Sequence, residues 1–128
     1  MELGIGLWIV NDKTIGLNFG GQWTDGTGQN ENGIVVDGVL HKLDDDIKWQ
    51  YDKKDYMRPW LLQTAQTKAV DLSFVPLFER KAITKAVVIQ SAVHQMIGHF
   101  SGTVTTPAGE QLKIDSMLGW AEDHVARW

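Results

Sequence analysis

The sequence predicts an all-β fold, an antiparallel meander that curls into a barrel or half-barrel, with one or two short helices near the C-terminus. Three observations carry this. Apolar and polar residues alternate in about nine short segments along the chain. Those segments are separated by turns rich in Gly, Asn, Asp and Pro. Only Leu77–Lys85 and Asp115–Arg127 leave room for helical turns.

Leu3, Ile5, Leu7 and Ile9 alternate with Gly4, Gly6, Trp8 and Val10, which reads as a strand with apolar residues on one face. Asn11–Lys13 turns the chain, and Thr14–Phe19 returns with Ile15, Leu17 and Phe19 on one side, completing a hairpin. Gly20–Asn32 is polar and aperiodic, an exposed loop of a length that often carries function. Gly33–Val36 and Val39–Leu43 flank Asp37-Gly38, the strongest hairpin signal in the chain, because a type I′ turn needs φ > 0 at both central residues. Asp44–Asp46 is a solvated acidic turn. It lacks the ligand spacing and the distal Glu of a calcium loop.

Ile47, Trp49 and Tyr51 form a half-buried strand, and Asp52–Arg58 is a polar connection ended by Pro59. Trp60–Gln63 and Ala69–Val75 are two further strands, with Pro76 expected to stop the second. Leu77–Lys85 is ambiguous between strand and helical turn. Ala86–Ser91 and Val93–Thr105 follow as strands, then the Pro107–Glu110 turn and a last strand, Gln111–Ile114. Asp115 suits a helix N-cap, so Asp115–Arg127 is expected to be a short helix.

At 128 residues the chain fits one domain, 1–128, large enough to bury a core without metal or disulfide support. There is no cysteine, which excludes disulfides and thiolate chemistry. A formal charge of −4 argues against a nucleic-acid partner. No apolar run approaches the ~20 residues of a membrane helix. The residues Met1–Trp8 lack the basic region and cleavage site of a signal peptide, so a soluble, cytoplasmic protein is expected.

Chemistry concentrates between His94 and Trp128. Period two puts His94, Met96, Gly98, Phe100, Gly102 and Val104 on one face of a strand, where the glycines are expected to leave a shallow groove, with Gln95, Ile97, His99, Ser101 and Thr103 on the other. His94 on an otherwise apolar face suits a general acid or base in a cavity, or a hydrogen-bonded core histidine. His94 and His99 point to opposite faces, and no pair has i,i+4 ligand spacing, so no metal site is expected. Arg127-Trp128 suits cation–π closure of a barrel end. Glu122 with His124 is expected as a rim, and Glu31-Asn32 at the loop exit either offers hydrogen bonds to a ligand or caps the turn before the strand.

Six tryptophans exceed what a small core needs. Trp8, Trp49 and Trp60 are expected mainly in the core, Trp23 and Trp120 at a site. The expected ligand contacts are Glu31, Asn32, Trp60, His94, Gln95, Met96, Phe100 and Trp120. The expected catalytic candidates are His94, Glu122 and Glu31. No nucleotide-binding glycine loop and no Gly-x-Ser-x-Gly elbow is present, and no cofactor is expected.

Several motifs in order resemble one family. They are Glu31-Asn32, Val36-Asp37-Gly38, His41-Lys42-Leu43, Pro59-Trp60, Asp71-Leu72-Ser73-Phe74-x-Pro76, His94-Gln95-x-x-Gly98-x-Phe100-Ser101-Gly102 and Gly119-x-x-Glu122-x-His124-x-x-Arg127-Trp128. From about Gly6 onward the chain resembles the C-terminal half of the uncharacterised bacterial DUF2804 proteins. The resemblance implies a lipocalin-like β-barrel and a distant relation to carotenoid hydratases. It implies a longer architecture too, so an exposed apolar patch and a homodimer are expected where a missing N-terminal half would pack.

Three functions are open at this point. One is binding of a hydrophobic small molecule among tryptophans. Another is a cofactor-free hydratase or lyase on an apolar, isoprenoid-like substrate. The third is a structural half-domain that self-associates. A His94 facing solvent, with Glu122 in a surface ion pair, would favour binding alone.

Overall fold

The computed structural model describes residues 2–10, 13–21, 32–85 and 90–127, with side chains for 13–21, 32–80 and 94–123. Nine strands form one sheet. They are β1 (Glu2–Val10), β2 (Lys13–Gly20), β3 (Gly33–Val36), β4 (Val39–Lys42), β5 (Ile47–Gln50), β6 (Trp60–Thr64), β7 (Val70–Lys85), β8 (Gln90–Thr105) and β9 (Gln111–Arg127). The spatial order is β4-β3-β2-β1-β9-β8-β7-β6-β5, and every neighbouring pair is antiparallel.

That order has a geometric consequence. Alternating direction across the sheet leaves its two outermost strands, β4 and β5, pointing the same way, and residues 43–46 alone join them. So short a segment spans at most about 18 Å, so the sheet must roll until its margins approach each other. The link is bonded to both margins: Leu43 N donates to Asn32 O and Ala65 N to Asp46 O. No ladder pairs β4 with β5 among the described residues, so the roll is open there rather than a closed barrel.

The concave face is the core. Ile15, Leu17, Ile34, Trp60, Leu72, Phe74, Met96, Phe100, Ile114 and Met117 are buried there in a single cluster. The Asp37-Gly38 hairpin forms as expected, with φ of 49° and 83°, and Asp37 Oδ1 accepts from Thr14 N at 2.9 Å. The Pro107–Glu110 turn also forms, Gly109 donating to Thr106 O.

Three expectations fail. No helix occurs among the described residues: Asp115–Arg127 lies within β9 and Leu77–Lys85 within β7, and both pair with β8 apart from one bulge each. Pro76 does not stop β7, because the chain absorbs it at a bulge where Leu77 has no partner on β8. The glycines of β8 make no groove. A Cβ on Gly98 would lie 2.2 Å from Val75 O and one on Gly102 2.1 Å from Asp71 O, so both positions admit the β7 backbone instead.

Candidate functional site

Period two on β8 places His94 on the concave face with Met96 and Phe100, both fully buried. Two irregularities decide what meets it there. On β7, the concave residues run Val70, Leu72, Phe74, Pro76. The unpaired Leu77 then shifts the phase, so that Glu79 stands opposite Met96. On β9, Leu112 and Ile114 are concave. Asp115 and Ser116 then oppose the single residue Ser101, and the phase moves to Met117, Gly119, Ala121 and Asp123. Ser116 takes φ 54° there, and its N–H donates to Ser101 Oγ. Each bulge thus brings one carboxylate onto the face that carries His94.

The resulting contacts are specific. His94 Nδ1 lies 2.8 Å from Glu79 Oε1, with both side chains 21% exposed. Asp123 stands opposite His94 in the β8–β9 ladder and is 1% exposed. Its Oδ2 accepts a 2.8 Å hydrogen bond from the Tyr56 hydroxyl. The Tyr56 ring stacks on His94 with centroids 4.3 Å apart. Burial, the bond to Asp123, and the charges of Asp123 and Glu79 push the Tyr56 phenol well above its ordinary range, so it stays a donor.

Tyr56 arrives from the connection between β5 and β6. Its own carbonyl accepts from Trp60 Nε1 at 3.0 Å, and Trp60 stacks on Tyr51 at 4.2 Å. Trp49 meets Trp60 edge-on at 6.3 Å. A continuous aromatic surface therefore runs from β5 to the imidazole. With the Glu79 carboxylate as acceptor, His94 donates from Nδ1.

Of the expected site residues, the structure brings together His94, Trp60, Met96 and Phe100, all on the concave face. Gln95 lies on the convex face, where its Nε2 donates to Glu122 Oε1 at 2.6 Å. Trp120 is also convex and half-buried, opposite Ile97. Glu122 thus leaves the His94 cluster. Asn32 is buried far along the fold as a brace: its Oδ1 accepts from Gly20 N and its Nδ2 donates to Asp45 O. Glu31, Trp23, Trp128, most of the Gly20–Asn32 loop and the side chains of Trp8, His124 and Arg127 lie outside the described residues.

Glu79, Tyr56 and Asp123 were not expected at the site. Tyr56 had a signal, an aromatic residue inside a polar connection. Asp123 had one as well: it continues the Met117, Gly119, Ala121 alternation once that stretch is read as a strand.

No group of three metal-ligating side chains occurs among the described residues. A cavity of about 480 Å³ opens at the other end of the roll, between Lys42–Asp45, Gln66–Ala69 and Thr105–Pro107. Beside it, burial works to raise the Asp45 carboxyl, but hydrogen bonds from Gln66 N, the Thr67 hydroxyl and Thr67 N hold it below its ordinary range. Asp45 therefore acts as a turn brace, and β8 separates this cavity from His94 by on the order of 35 Å.

The DUF2804 family model, a domain of unknown function, matches residues 3–128. The chain belongs to the DUF2804 family. The His94, Gly98 and Phe100 positions that the sequence resemblance rests on fall on the concave face of this DUF2804 domain, and His94 stands beside Glu79 and Asp123. No curated protein and no solved structure matches the chain.

Proposed function

We propose that this DUF2804 domain binds an apolar small molecule at the aromatic end of the rolled sheet and that His94 exchanges a proton with it. One observation carries the reading. His94 is held on the concave face between the Glu79 carboxylate and the Tyr56 ring, with only 21% of its side chain exposed. A histidine serving as a surface group would face water. This one has its ring plane fixed by stacking and its Nδ1 fixed by a carboxylate, as an acid–base imidazole requires.

Glu79 orients His94 through Nδ1, and the Asp123–Tyr56 bond fixes the ring that covers it. The partly exposed Tyr51 and Tyr56 rings supply the apolar surface, backed by the buried Trp60, Phe74 and Phe100. In the hydratase form of the reaction, imidazolium Nε2–H protonates a carbon–carbon double bond, water adds to the cation, and the water proton returns to His94. Alkene and water become an alcohol with no cofactor. A lipocalin-like barrel and a cytoplasmic setting belong to the same proposal.

The competing reading is binding without chemistry, which the Tyr56–His94 stack also suits because it covers the imidazole. The test is to isolate the protein, identify co-purified apolar molecules by mass spectrometry, and incubate them with the protein in deuterated water. Wild-type protein should place deuterium on carbon, and His94→Gln and Glu79→Gln should slow this by about a hundredfold or more. Retention of a ligand with no exchange leaves a binding protein. If nothing is retained and no apolar dye binds, both readings fall.

A further inference from the structure

We infer that the Trp49 indole N–H is a recognition group for an oxygen atom on the bound molecule, so that the ligand is an oxygenated apolar compound rather than a hydrocarbon. This rests on the apolar-ligand reading above and narrows it. Trp49 Nε1 is buried and has no hydrogen-bond partner among the described residues. Its neighbour shows how unusual that is. Trp60, in edge contact with Trp49, has its indole N–H bonded to Tyr56 O at 3.0 Å. A buried donor left unsatisfied costs about 1–3 kcal/mol, and native folds keep few of them.

β5 is a marginal strand with β6 as its single ladder partner, and Lys48 and Gln50 on either side of Trp49 are exposed. Trp49 as a whole is only half-buried, yet its nitrogen is turned inward.

An indole nitrogen is a donor only, so the matching group is an acceptor such as a hydroxyl, ether or carbonyl oxygen. The Glu79 and Asp123 carboxylates at the same end of the roll disfavour a ligand carboxylate. Trp49 lies across the Trp60 and Tyr56 rings from His94. The oxygen therefore anchors one end of the ligand while the other end meets the imidazole.

Farnesol and its hydrocarbon counterpart farnesene serve as probes, with binding measured by quenching of tryptophan fluorescence. Wild-type protein should bind farnesol about tenfold or more tightly than farnesene. Trp49→Phe keeps a ring in place and deletes the donor, so farnesol should weaken to the level of farnesene while farnesene is unchanged. Unliganded Trp49→Phe should melt no lower than wild type, because the variant also removes the orphan. On wild-type protein, the indole N–H resonance of Trp49 should shift on adding farnesol and stay put with farnesene, a readout that survives if the variant misfolds. Equal weakening of both probes, or a resonance that ignores farnesol, overturns the inference. Failure of wild type to bind either probe overturns the apolar-ligand reading beneath it.

Discussion

Asp123 and Tyr56 form the tightest coupling of charge and burial on the concave face. Replacing Tyr56 by Phe removes the hydroxyl that Asp123 Oδ2 accepts from, while the stack on His94 is retained. A hydrogen bond to a carboxylate at so buried a position is worth about 1–3 kcal/mol, and chemical denaturation should show a loss of that size. The pH dependence has a definite sign. The Tyr56 phenol is raised in the folded state, so its contribution is complete below the ordinary phenol value of about 10 and is lost as pH rises above it. The stability gap between wild type and Tyr56→Phe should thus be flat through neutral pH and close only in alkali. Residues of this kind were half legible. His94, Met96 and Phe100 follow from strand period alone, since nothing interrupts the phase of β8 between them. Glu79 does not, because its face depends on one unpaired residue, Leu77, that no local pattern announces.

At the scale of elements, turns were readable and bulges were not. Asp37-Gly38 announces its hairpin because the φ > 0 it needs is a local demand with few chemical solutions. Asp115-Ser116 misleads for the complementary reason. The pair resembles a helix N-cap, but long-range pairing with β8 overrides that preference and spends both residues on a bulge opposite Ser101. Ser116 carries the strain of that choice at φ 54°. Ser116→Gly should raise stability by about 0.5–1 kcal/mol and Ser116→Val should lower it by more, read as melting temperature. The unchanged ladder in both variants would show as preserved amide-exchange protection of β9.

For the molecule as a whole, the convex face near the β7 bulge is apolar. Val75, Leu77, Phe78 and Leu118 are each at least half exposed, with Ile97 and Trp120 in line with Phe78 across the ladder and His99 between Val75 and Leu118. Contiguous apolar surface of this kind marks an interaction site. Self-association through this strip is the proposed outcome for the isolated chain. Light scattering over micromolar concentrations should show a dimer that Phe78→Lys with Leu118→Lys returns to a monomer. Clean monomer in the wild type would end that proposal. No helix among the described residues is long and apolar enough to cross a membrane.

The single passage of chain through residues 43–46 also governs how the fold can assemble. β1–β4 and β5–β9 are each a meander of sequential hairpins, built from pairings close in sequence. They meet through that passage and through the β1–β9 ladder, which joins Gly6 to Gly119 and Leu3 to Glu122 across nearly the full chain. Loop-closure entropy makes that ladder the slow contact, formed after both meanders exist. The ladder that completes the roll is then the seam that sets the pace of folding.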